Sequence, residues 1–220
     1  MNKKLKTSNL FDSYPTYLTG LFEKSTYPWD MLPDLKDYIT KLIFKGIPGY
    51  RLIGDMVLAG EGVTVHESAV IKPYTILGDK TEVRPGAYLR GSVITGENCV
   101  IGNSCEIKNS VLLNHVQVPH YNYVGDSVLG NGAHMGAGSI CSNLKSDGKN
   151  VVIHSENPIE TGLRKLGAIM ADGSDVGCSC VLNPGTVIGK NTRVYPLTSL
   201  RGVYPPDSIV KSQSEIVRIK

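Results

Sequence analysis

The chain has 220 residues, enough for one substantial domain, and its 24 glycines with only 7% aromatics favour short strands and turns over a helical bundle. A formal net charge of +3 is too small to indicate a nucleic-acid partner. No apolar run approaches the roughly 20 residues that span a membrane, and the N-terminal "MNKKLKTSNLFDSYPTY" holds no apolar signal core, so a soluble, cytoplasmic protein is expected.

Residues 1–55 read as a helical cap segment. In "PDLKDYITKLIFKG" the residues Leu35, Tyr38, Ile39, Leu42 and Ile43 recur at helical spacing, with Pro33 before them and Gly46 after. Such a helix beside the first β-coil would cover an exposed strand edge. Trp29, the only tryptophan, is expected to pack.

Residues 56–220 read differently. An aliphatic residue recurs every six positions at Val65, Ile71, Leu77, Val83, Leu89, Ile101, Ile107 and Leu113, broken only at Thr95. Two positions before each stands a small or β-branched residue, from Ala69 and Thr75 to Cys105 and Val111. Six does not fit a helical period but preserves strand alternation, so the aliphatic residue and its small partner share a side. Each unit is a short strand plus a corner, and stacked units bury one continuous stripe, the hexapeptide β-helix pattern.

The period slips between Leu113 and Val118 and between Val124 and Leu129, each five residues apart. A loop insertion covers 141–167. The hexad then resumes at Met170, Val176, Leu182, Ile188, Val194 and Leu200, and "SIVKSQSEIVRIK" reads as one or two closing strands. The slips bracket "VPHYNYVGDS", and departures from a repeat are where a site is expected. Five cysteines argue against a disulfide framework, and Cys178-Ser179-Cys180 lacks the second pair of a zinc site. Cys99, Cys105 and Cys180 fall on interior positions.

Four motifs, "VRPGAYL" (83–89), "EIKNS" (106–110), "PHYNYVGDS" (119–127) and "MGAGSICSN" (135–143), resemble the left-handed parallel β-helix acyltransferases. Within them the chain looks most like the acetyltransferase domain of the bifunctional enzyme that makes UDP-N-acetylglucosamine, without its uridyltransferase domain, so pyrophosphorylase activity is not expected. The resemblance implies an all-β, left-handed parallel β-helix, acetyl-CoA as co-substrate, an amino-sugar 1-phosphate as acceptor, and a homotrimer with sites between subunits. It assigns His120 as general base and Ala137 as backbone oxyanion donor. Substrate contacts fall on Arg84, Lys108, Tyr123, His134 and Asn143, and cofactor contacts on Ala137, Lys165 and Cys178, with Lys149 competing for the role of Lys165. His134 stands where the family has an asparagine, and Leu144 where it has an aromatic.

The residue types suit that chemistry. Acyl transfer to an amine needs a base, and imidazole titrates near neutrality. Gly136-Ala137-Gly138 allows close backbone approach to a developing oxyanion. Arg84 and Lys108 directly follow inward residues and so face out, four hexads apart on different walls. Two other readings stand beside this one: a non-catalytic trimeric sugar-phosphate binder, and a zinc enzyme using the H-x4-H pair His115 and His120, for which the expected third histidine is missing two coils upstream.

Overall fold

The computed structural model describes residues 3–219. From Val57 onward the chain winds as a left-handed parallel β-helix, as the hexad and the resemblance lead one to expect. Each strand pairs in parallel with its counterpart one coil away, forming three walls. The first wall runs from Val57–Ala59 through Val93–Thr95, Ser110–Leu112 and Ala168–Met170 to Val203–Tyr204; the second from Thr64–Val65 through Gln117–His120 and His134–Met135 to Ser208–Ser212; the third from Val70–Ile71 through Glu106–Lys108, Tyr123–Gly125 and Ile140–Cys141 to Ser199–Leu200.

The interior is the predicted stripe. Leu77, Val83, Leu89, Ile101, Ile107, Val118, Val124, Met135, Val176, Leu182 and Ile188 stack in one column of buried side chains, with Ala87, Cys99, Cys105 and Cys180 filling the corners. Thr95, the one break in the rule, is buried with its hydroxyl accepting the Gly78 N–H at 3.0 Å. Corners turn through left-handed backbone, at Asn98 (φ 53°), Asn109 (φ 44°) and Asp126 (φ 50°) among others, where Asn and Asp are the cheapest residues after glycine.

The register corrects one position. Leu112, not Leu113, aligns with Thr95 below and Leu129 above and enters the interior; Leu113 faces outward into a second apolar cluster. The first slip therefore falls between Ile107 and Leu112. That is the third-to-first corner, the same corner at which the second slip and the 141–167 insertion fall.

The helical segment also sits differently from its expected place. Helix Leu35–Lys45 ends at Gly46 (φ 79°) as read. It does not cover the first coil's edge, however, which on the first wall is met by the antiparallel strand Arg51–Gly54. Instead the segment lies along the outer side of the first wall. Leu18, Leu21, Phe22, Trp29, Leu35 and Ile39 bury Leu58, Ile76, Ile94, Val111, Ile169 and Val187, which would otherwise face water. The first wall thus carries apolar residues on both sides, a continuous apolar run rather than an alternation. Asp12 reaches as far as Asp172 and Lys190.

The insertion folds back rather than projecting. Its hairpin, Val152–Ile153 with Ile159–Glu160, lays Val151 and Ile153 into the outer cluster. A Cβ at Gly185 would lie 2.8 Å from Val151 Cγ1. At the far end Glu215–Arg218 pairs antiparallel with Ser208–Ser212, the closing strands read from the sequence. Among the described residues no helix is long and apolar enough to cross a membrane.

Because Trp29 is 2% exposed and seals the segment onto the first wall, Trp29→Ala should cost about 3–5 kcal/mol in urea unfolding. A loss under about 1 kcal/mol would contradict this packing.

Candidate active site

The three segments that break the repeat lie around the third wall, and the predicted residues fall into two groups at its two corners. At the corner between the second and third walls, His120 ends strand Gln117–His120, one coil below Ala137 and two below Cys178. The Gly138 N–H donates to the His120 carbonyl at 3.0 Å, and the Ser179 N–H to the Ala137 carbonyl at 2.8 Å. Successive coils lie about 4.8 Å apart, so these residues form one column. His120 is exposed, and among the described residues nothing hydrogen-bonds its ring. Cys178 is the exposed cysteine; Cys99, Cys105, Cys141 and Cys180 are buried, and burial pushes the Cys99 and Cys141 thiols up to about 12.

The column is held by Asn122, which the sequence reading passed over. Its side chain is buried at the interior position that Cys105 and Ser139 occupy in adjacent coils. The amide donates to the carbonyls of Gly136 (2.8 Å) and Ser139 (3.1 Å) and accepts the His120 N–H (3.0 Å). An amide at a position reserved for small residues was the available signal.

At the other end of the wall, between the third and first walls, Lys108, Tyr123 and Asn143 gather around the buried Asp126. Lys108 Nζ lies 3.0 Å from Asp126 Oδ2, and the Asn143 amide donates to the same oxygen. The Tyr123 ring lies flat along the outside of its own strand. A Cβ on Gly125 would meet its hydroxyl at 2.5 Å and the ring carbon Cζ at 2.8 Å, so this glycine makes room for the phenol. Burial raises the Tyr123 pKa, helped by the carboxylates of Asp126 and Glu106 and opposed by Arg90 and by a hydrogen bond from Asn143. Tyr123 thereby spans the strip between the two groups.

Arg84 does not join either group. It lies two coils below the His120 corner, paired with Glu82 at 2.9 Å, across the wall from Lys108. The guanidinium in Lys108's own column is Arg90, whose N–H donates to the Ile107 carbonyl and whose side chain meets Glu106, directly below Tyr123, at 2.6 Å. Arg90 precedes Lys108 by three hexads, so counting coils would have found it. His134 lies on the second wall, its Nδ1–H donating to Asp175 at 2.7 Å.

The two lysines separate. Lys165 pairs with Leu144 at the neck of the insertion, where the Leu166 N–H donates to the Asn143 carbonyl at 3.0 Å. Lys149 lies farther out, its N–H donating to Asp147. His115 and His120 stand at opposite ends of the second wall's strand, and among the described residues no group of three or more His, Cys, Asp or Glu side chains is placed to hold a metal ion.

The fold and this wall define the class: a left-handed β-helix of hexapeptide repeats whose irregular coils carry the polar groups. The comparisons then give its relationship. The chain is 32% identical over 206 residues to the Bifunctional protein GlmU of Methanococcus maripaludis, an alignment covering 92% of this chain and 50% of that protein. It is 34% identical over 176 residues to the bifunctional sugar-1-phosphate nucleotidylyltransferase/acetyltransferase of Sulfurisphaera tokodaii, covering 77% of this chain and 43% of that one. The family model described as GMPPB C-terminal domain matches residues 75–163. Among solved structures, the N-acyltransferase AntD from Bacillus cereus is 14% identical with a TM-score of 0.46, covering 79% of this chain and 90% of that one. The resemblance read from the four motifs is thus borne out: the chain is related over nearly its whole length to the GlmU proteins, and spans about half the length of the curated relatives it matches.

Exposure and burial of the thiols give a direct test of this column. The native protein should titrate one fast-reacting thiol with an aromatic disulfide reagent, and Cys178→Ser should abolish it. Two or more fast thiols would contradict the burial of the other four.

Proposed function

We propose that this chain transfers an acetyl group from acetyl-CoA to the amine of an amino-sugar 1-phosphate, as a cytoplasmic homotrimer. The observation that carries the reading is the single strip on the third wall. It has an unengaged imidazole below a glycine-flanked backbone N–H at one corner, and a lysine–tyrosine–asparagine cluster at the other. The relationship to a protein named as a sugar-1-phosphate nucleotidylyltransferase/acetyltransferase supports both the acetyl group and the acceptor class.

In this reading the acceptor binds as the free amine. Its nitrogen attacks the thioester carbonyl while His120 takes the proton released as the C–N bond forms. The Ala137 N–H donates to the oxyanion of the tetrahedral intermediate. Collapse breaks the C–S bond, and the His120 imidazolium returns its proton to the departing thiolate. Lys108, Tyr123 and Asn143 hold the sugar and its phosphate. Arg90 joins them from the coil below, in place of Arg84 within one chain. Arg84 contributes to the same site only from a neighbouring subunit, across the groove of a trimer. Lys165, at the neck beside Asn143, is favoured over Lys149 as the lysine that reaches the ligand, and Cys178 lies along the thioester's path.

The departure at His134 leaves the acceptor's identity to experiment. A thiol-release assay with acetyl-CoA across amino-sugar 1-phosphates and sugar nucleotides should find one preferred acceptor, and His120→Ala should lower its kcat about 100-fold or more. Binding of a sugar phosphate with no thiol released from any acceptor would instead favour the non-catalytic binder.

A further inference from the structure

Asp126 has no part in the chemistry above, yet three side chains converge on its carboxylate at the third-to-first corner. It is 4% exposed and occupies a left-handed corner. Its Oδ1 accepts from the Asn109 amide at 2.8 Å and from Lys108 Nζ at 3.3 Å; its Oδ2 lies 3.0 Å from Lys108 Nζ and accepts from the Asn143 amide. Its N–H donates to the Lys108 carbonyl (3.0 Å), and its carbonyl accepts the Gly167 N–H (2.8 Å), where the chain returns from the insertion. The carboxylate therefore ties the coil below to the coil above, while the backbone carbonyl of the same residue holds the exit of the insertion.

The partners are all donors. A carboxylate alone can accept from every one of them, because an amide in its place would turn an NH2 group toward another donor. Burying such a group gains little stability over an apolar corner, and neighbouring corners manage with Asn109 or Ser92. What distinguishes this corner is which residues converge on it: Lys108 and Asn143, two of the proposed substrate contacts. A lysine stem has many rotamers, and the carboxylate limits Lys108 to those that lie along the third wall.

We propose that Asp126 is a positioning residue, which sets Lys108 and Asn143 for the acceptor and leaves the acetyl-CoA column untouched. This rests on the acyl-transfer reading. It predicts a split in the kinetics that a general loss of structure would not produce. For Asp126→Asn, the acceptor's KM should rise about tenfold or more, with the KM for acetyl-CoA within about twofold of wild type. Asn109→Ala removes a contact to the same carboxylate away from the strip and should leave both KM values unchanged while lowering Tm. Should Asp126→Asn fail to fold by circular dichroism, Asp126→Glu keeps the charge but displaces Lys108 and Asn143, and should show the same acceptor-only rise. Equal changes in both KM values, or none, in a folded variant would overturn the role of Asp126 and leave the acyl-transfer reading standing. A wild type inactive with every acceptor would overturn both.

Discussion

The interior of a three-walled prism has room for one layer of side chains per coil, and everything else in this molecule follows from keeping those layers in step. Each coil must place its inward residues over those of the coil below, or the parallel ladder and the apolar column fail together. The inward residue is free to vary in shape, from Val118 to Met135, but not in position. The backbone of a corner must turn within a few residues, which is why left-handed conformations recur there even at non-glycine positions. The walls are accordingly stiff, and a side chain on a wall or corner has a defined height and direction.

That stiffness explains where irregularity is tolerated. Both five-residue steps and the insertion fall at the third-to-first corner, in consecutive coils, so the interior layers above and below stay aligned. At this corner polar side chains of successive coils meet one another instead of water. Asp126 is buried at this corner, and its carboxylate is satisfied because Lys108 and Asn109 arrive from the coil below and Asn143 from the coil above. The two ends of the third wall then lie one short strand apart, with the Tyr123 ring resting over Gly125 between them.

Much of the site was legible in the residues. Hexad counting puts His120, Ala137 and Cys178 on one corner and makes Lys108 face outward. The same counting, carried one coil further, places Arg90 in the column of Lys108 and Arg84 at the other end of the third wall, a separation that similarity to the motif "RPG" does not reveal because it takes no account of height along the prism. Asn122 was marked only by an amide at a position otherwise filled by small residues, and Asp126 was opaque. Its importance lies in hydrogen bonds to residues about one coil away, and a single sequence does not mark which neighbour a corner carboxylate will meet.

The sequence by itself determined the repeat, the interior stripe, the helix Leu35–Lys45 and the closing strands, because these depend on periodicity and local propensity alone. Whether Leu112 or Leu113 turns inward was beyond it, since two adjacent leucines satisfy the pattern equally and only pairing with Thr95 and Leu129 distinguishes them. The placement of residues 3–50 along the first wall was likewise a tertiary decision. A wall with Ile76, Ile94 and Val111 on its outer side needs an apolar cover, and the N-terminal segment carries the matching surface. Long-range burial chose that partner, and no local signal encodes it.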